Sequence, residues 1–116
     1  MNRFVLIALT AAACSPPPVP GSAECPNDLA SSCPSPQLSY RVHVEPLVRS
    51  KCLACHVAGG QASSQPLDSY AAVFERRTHV LAHVYGCEMP PVGAPALTLS
   101  ERAVLLGWLV CDAPEE

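Results

Sequence analysis

Five consecutive residues, Cys52-Leu53-Ala54-Cys55-His56, carry the most specific chemistry in the chain. Two thiols three residues apart can be half of a zinc site, a dithiol–disulfide redox pair or a haem attachment site, and the surroundings choose among these. Zinc needs a second close ligand pair, whereas Cys87 and Cys111 stand far apart in the sequence. A thioredoxin-type pair needs a β-α-β setting, and no strand pattern competes here. His56, directly after the second thiol, suits the third option. Two thiols on one helical turn can add to the two vinyl groups of a haem while the next imidazole reaches the iron. The expected cofactor is one covalently attached haem c, held by Cys52 and Cys55 with His56 on iron, and the chain is accordingly expected to be iron- and metal-binding. Downstream, Met89-Pro90-Pro91 puts a thioether on a stiff loop, where it would complete a His/Met pair that raises the reduction potential.

Other polar residues have plainer readings. His79 and His83 are four apart, a spacing that can bind a metal but that more often marks an exposed or half-buried helix face. Either could replace Met89 and give bis-His ligation at lower potential. His43, between Val42 and Val44, is expected to face solvent. Arg76 and Arg77 could pair with haem propionates, with an exposed charge pair as the simpler role. Nothing arranges a serine, a histidine and an acid as nucleophile and base.

Three helical stretches must position these groups. In the first, Val44, Leu47, Val48 and Cys52 fall near one face, and Pro46 requires either a start near Glu45 or a kink. The second follows Asp68-Ser69 as candidate N-caps, runs from Tyr70 toward Val84, can break around Arg76-Arg77, and meets Gly86 as a terminator. The third opens with the capping-box pattern Thr98-Leu99-Ser100-Glu101 and places Val104, Leu105, Trp108 and Cys111 on one face. Gly59-Gly60 would let the chain turn close to a porphyrin edge. The fold class expected is all-α.

With 116 residues the chain suits one domain, and 49% hydrophobic against 15% charged residues excludes a charged disordered tail. Aromatic residues are only 5%, so a core this small needs a staple such as a disulfide or a bound cofactor. A net charge of −3 with scattered basic residues gives no face for a phosphate backbone, so nucleic acid is not an expected partner. Residues 1–13 combine one positive charge, the apolar run Phe4 to Leu9 and small residues, and read as an export signal. The small residues run into Cys14, an arrangement that resembles a bacterial lipobox, with Ala11 where Leu is usual. An ordinary signal cleaved near Ala13 is the alternative. The lipoprotein reading makes Cys14 a lipid anchor on the periplasmic side of a membrane, and Ser15 after it leans toward the outer membrane. Residues 14–37 read as an anchored Pro/Ser-rich spacer containing Cys25 and Cys33, expected to close a local disulfide loop.

The ordered set of helix, Cys52-x-x-Cys55-His56, helix, Met89-Pro90-Pro91 and terminal helix with Trp108 resembles a class I cytochrome c. It is particularly similar to short single-haem domains on bacterial lipoproteins, whose pattern before the haem motif is matched by Val44-Glu45-Pro46-Leu47. The resemblance covers roughly Tyr40 to Ala113 and implies a domain, 38–116, of three to four helices around the haem. It also implies a crossing of the first and last helices near Trp108, and a single-electron carrier, not an enzyme, that serves redox protein partners. The lysine-rich docking face common in that family is missing, since Lys51 is the only lysine. In such a fold Cys87 and Cys111 would form a disulfide tying the Met89 loop to the terminal helix. The alternatives are a haem-based small-ligand sensor, a haem subunit of a larger oxidoreductase, or a haem-free lipoprotein with three disulfides.

Overall fold

The computed structural model describes residues 24–116; the export segment and the lipidation candidate Cys14 lie outside the described residues. The described residues form four α-helices and no strand, in keeping with the all-α expectation: α1 (Glu45–Lys51), α2 (Tyr70–Glu75), α3 (Arg77–Tyr85) and α4 (Leu99–Val110). A wide π-type turn, Tyr40–Val44, runs straight into α1. The starts of the wide turn, α1, α2 and α4 have local causes. Ser39 Oγ accepts the Val42 N–H to open the wide turn, and Pro46 sits in the first turn of α1, where its missing N–H costs nothing. Ser69 Oγ accepts the Ala72 N–H at the start of α2. The expected break falls at Arg76, whose backbone (φ −97°, ψ 6°) leaves the helical range between α2 and α3. Thr98 and Glu101 form the full capping box of α4, through bonds of 3.1 and 2.8 Å.

Gly86 does follow α3, but with an ordinary φ of −73°. The positive φ that glycine usually supplies falls instead on Cys87 (φ 59°). That residue is fixed from outside by a disulfide, so tertiary attachment, and not glycine's freedom, sets the turn.

The core lies between α4, the wide turn and α1. Trp108, Leu105, Leu106, Val44 and Val73 are essentially inaccessible. Tyr40 meets Trp108 and Tyr70 at ring-centroid distances of 5.8 and 5.4 Å. The tail after α4 folds back over this cluster: Trp108 Nε1 donates to the Pro114 carbonyl (2.8 Å), Tyr70 Oη to the Ala113 carbonyl (3.0 Å), and Tyr40 N to Pro114 (3.0 Å). Few aromatics thus suffice because Tyr40, Tyr70 and Trp108 pack on one another across several elements, and the polar edges of Tyr70 and Trp108 are satisfied.

The cysteines correct the expected pairing. Cys25, Cys33, Cys87 and Cys111 are all disulfide-bonded, but the local loop Cys25–Cys33 and the bridge Cys87–Cys111 do not exist. The bonds are Cys25–Cys87 and Cys33–Cys111, with Cα separations of 5.8 and 5.7 Å. The physical reason is the path of residues 24–37, which run from the end of α3 along α4. Asp28 makes a two-pronged ion pair with the buried Arg102 of α4, at 2.7 and 2.9 Å. Tyr85 Oη donates to Asn27 Oδ1, and Gln37 Nε2 to the Cys111 carbonyl. Arg102 further donates to the Val84 and Tyr85 carbonyls at the end of α3. This segment therefore clamps the α3 terminus to α4.

Candidate functional site

The segment after α1 is a tight coil in which successive backbone groups bond inward. The Cys55 and His56 N–H groups both donate to the Cys52 carbonyl (3.2 and 3.0 Å), Ala62 N to the Cys55 carbonyl (2.9 Å), and Leu67 N to the His56 carbonyl (2.9 Å). Gly60 is required for this closure, since a Cβ there would lie 2.3 Å from the Cys55 carbonyl oxygen. The close approach expected for Gly59-Gly60 is thus to the chain's own Cys55 backbone. Wrapping in this way holds Cys52, Cys55 and His56 on one side.

That side is a wall of a cavity of about 740 Å³, mostly apolar, which also reaches Met89, Pro90 and Pro91. Val48 from α1, Leu67, Val73 from α2, Val84 from α3 and Leu105 from α4 form its floor and sides. The structure therefore brings Cys52, Cys55, His56 and Met89 to the lining of one space, from two segments more than thirty residues apart. Met89 is 39% exposed, at the more open part of the wall.

The chemistry of each group follows from its surroundings. Cys52 and Cys55 are outside the disulfides. Burial disfavours the thiolate of Cys52 and pushes its pKa up to about 11. Cys55 Sγ lies 4.0 Å from Gln61 Oε1. His56 Nδ1 is 2.8 Å from the Gln65 carbonyl oxygen, so Nδ1 carries the proton and donates. The lone pair then resides on Nε2, the nitrogen available to a ligand.

The remaining sequence candidates divide. Arg76 lines the cavity, with its guanidinium on the Ala72 carbonyl and near Glu75. Arg77 does not; it donates to the Phe74 carbonyl and lies 4.0 Å over the Phe74 ring. His79 and His83, both exposed, reach the cavity from α3. His43 is exposed as expected, with Nδ1 accepting the Ser39 N–H. Sequence reasoning missed Gln65, whose backbone carbonyl orients His56; a main-chain acceptor leaves no side-chain signal. It missed also Lys51, which lines the cavity while donating to the Ala96 carbonyl (2.9 Å).

The expectation that side chains of this chain bind iron or another metal ion by themselves is corrected. Among the described residues, no three of His, Cys, Asp or Glu come together as a group that could hold a metal ion. Cys87 is committed to Cys25, and His83 is paired with Glu88. No metal site made from these side chains alone stands, the zinc half-site included. Comparison of the chain with protein-family models, with curated proteins and with solved structures finds no match.

Proposed function

We propose that this chain is a single-electron carrier built on one covalently attached haem c, with Cys52 and Cys55 as attachment thiols and His56 and Met89 as axial ligands. The observation that carries the reading is the convergence of these four side chains on one apolar cavity. Its volume, about 740 Å³, falls within the ~300–1,000 Å³ typical of cofactor pockets. The donor set fits as well: two thiols outside the disulfides, and an imidazole whose Nδ1 is already engaged. The resemblance of the sequence to class I cytochromes c supports the same assignment.

When bound, the haem supplies reversible one-electron chemistry. The chain's own residues supply the rest. Gln65 fixes the ring and tautomer of His56 through its carbonyl. Val48, Leu67, Val73, Val84 and Leu105 keep water from one side of the cavity, and a dry site penalises the form of higher charge, which raises a reduction potential. Lys51 and Arg76 line the same cavity with cationic groups suited to carboxylates. In this reading the carrier is exported, lipid-anchored through Cys14 on the periplasmic side of a membrane, and exchanges electrons with redox protein partners.

The test is expression of the full chain in a bacterial host with haem c maturation, followed by a pyridine haemochrome assay and intact-mass analysis. One haem per chain that survives acid–acetone extraction is the expected result. A folded, exported protein with both Cys52 and Cys55 open to alkylation and no haem would overturn the proposal. Carbon monoxide added to the ferrous protein then separates the functions: a closed His56/Met89 site resists it, whereas prompt binding points to a ligand sensor.

A further inference from the structure

Two side chains able to ligate iron line the cavity from neighbouring backbone, and Glu88 bonds to one of them. His83 and Met89 both line the cavity. They also share a backbone anchor, since the His83 carbonyl accepts the N–H groups of Glu88 (2.9 Å) and Met89 (3.0 Å). The thioether and the imidazole therefore hang from adjoining points of the same backbone patch. The His83 ring is engaged from elsewhere: its Nδ1 lies 2.5 Å from Glu88 Oε2. Glu88 does not line the cavity, and its side chain is 66% exposed. The bond therefore ties the ring to a carboxylate on the solvent side of the rim.

We propose that Glu88 is a positioning residue that selects the sixth haem ligand, holding His83 at the rim so that Met89 is the group presented to the cavity. The inference rests on the haem reading above and adds a choice between ligands to it. Covalent geometry supports the arrangement. Cys87, immediately before Glu88, is locked at φ 59° and bridged to Cys25, so the loop cannot slide to relieve the His83–Glu88 contact. Glu88 has one side fixed at Cys87 and another stiffened by Met89-Pro90-Pro91, and its carboxylate holds His83, the competitor that shares Met89's backbone anchor. A neutral imidazole is a strong iron ligand, so loss of this hold exposes Met89 to displacement.

The test uses the haem-loaded full chain and reads the weak far-red charge-transfer band of methionine on ferric iron, with haem content measured separately by pyridine haemochrome. Glu88→Ala is expected to keep covalent haem and to lose more than half of the band. His83→Ala/Glu88→Ala is expected to regain it, because the competing imidazole is gone while the residue 83 carbonyl remains. Glu88→Gln, which still accepts from Nδ1–H, is expected to keep most of the band. Glu88→Ser gives the same readout should the alanine variant accumulate poorly. An unchanged band in Glu88→Ala, or a band lost there and not recovered in the double variant, overturns the proposal. A parent protein that carries haem but lacks the band also overturns it, whereas a parent without covalent haem removes the electron-carrier reading beneath it.

Discussion

Asp28→Ala tests whether residues 24–37 belong to the folded unit. Arg102 is only 6% exposed. Its guanidinium is held by both Asp28 oxygens (2.7 and 2.9 Å) and by the Val84 and Tyr85 carbonyls. Deleting one member of a buried ion pair costs ~3–5 kcal/mol, because the other charge stays behind without its partner. Here the Asp28 side chain is 27% exposed and Arg102 keeps the Val84 and Tyr85 carbonyls and a longer contact to the Pro26 carbonyl, which lowers the expected loss to ~2–3 kcal/mol. For a domain of this size that corresponds to a melting temperature lower by about 10 °C or more. Urea denaturation should show a reduced midpoint at unchanged slope. The exposed pair Arg76–Glu75 provides the control, and Glu75→Ala should cost less than ~0.5 kcal/mol. The effect should depend on pH with a definite sign. Arg102 holds the Asp28 carboxyl below its ordinary pKa, with burial opposing, so the stabilisation is complete above about pH 4 and is lost as the pH falls through the folded value. A loss below ~0.5 kcal/mol in Asp28→Ala at neutral pH would refute the reasoning.

Peptide mapping of the unreduced protein should find Cys25 joined to Cys87 and Cys33 to Cys111. Removing either pair as Ser/Ser should destabilise by about 4 kcal/mol in the chain-entropy model for separations of 62 and 78 residues. In haem-free protein, iodoacetamide should label Cys55 well before Cys52, whose thiol is held neutral by burial up to a pKa of about 11; equal rates at pH 8 would contradict that burial. That protein should also lose stability as the pH rises past about 9, since only the unfolded state then readily accommodates the thiolate. Met89→Ala should retain covalent haem, lose the far-red band and bind carbon monoxide or imidazole more readily than the parent, as followed by optical titration.

How much of this could be read from the chain divides by the range of the interaction. Ser69, the Thr98–Glu101 box, Pro46 at the start of α1 and the break at Arg76 all act over three or four residues; residue type placed the box outright and narrowed the others to two alternatives each. The cluster Cys52, Cys55 and His56 was equally local, and Met89 was singled out by its prolines; that all four line one cavity came only from the tertiary structure. The disulfide partners were not, because four cysteines allow three pairings and spacing does not rank them. Their choice depends on Asp28 reaching Arg102 across 74 residues, which turns an apparent spacer into a clamp between the end of α3 and α4. The orientation of His56 by the Gln65 carbonyl and the tie between His83 and Glu88 belong to the same class. Each requires a backbone path to exist before two groups can meet, and a local pattern contains no such path.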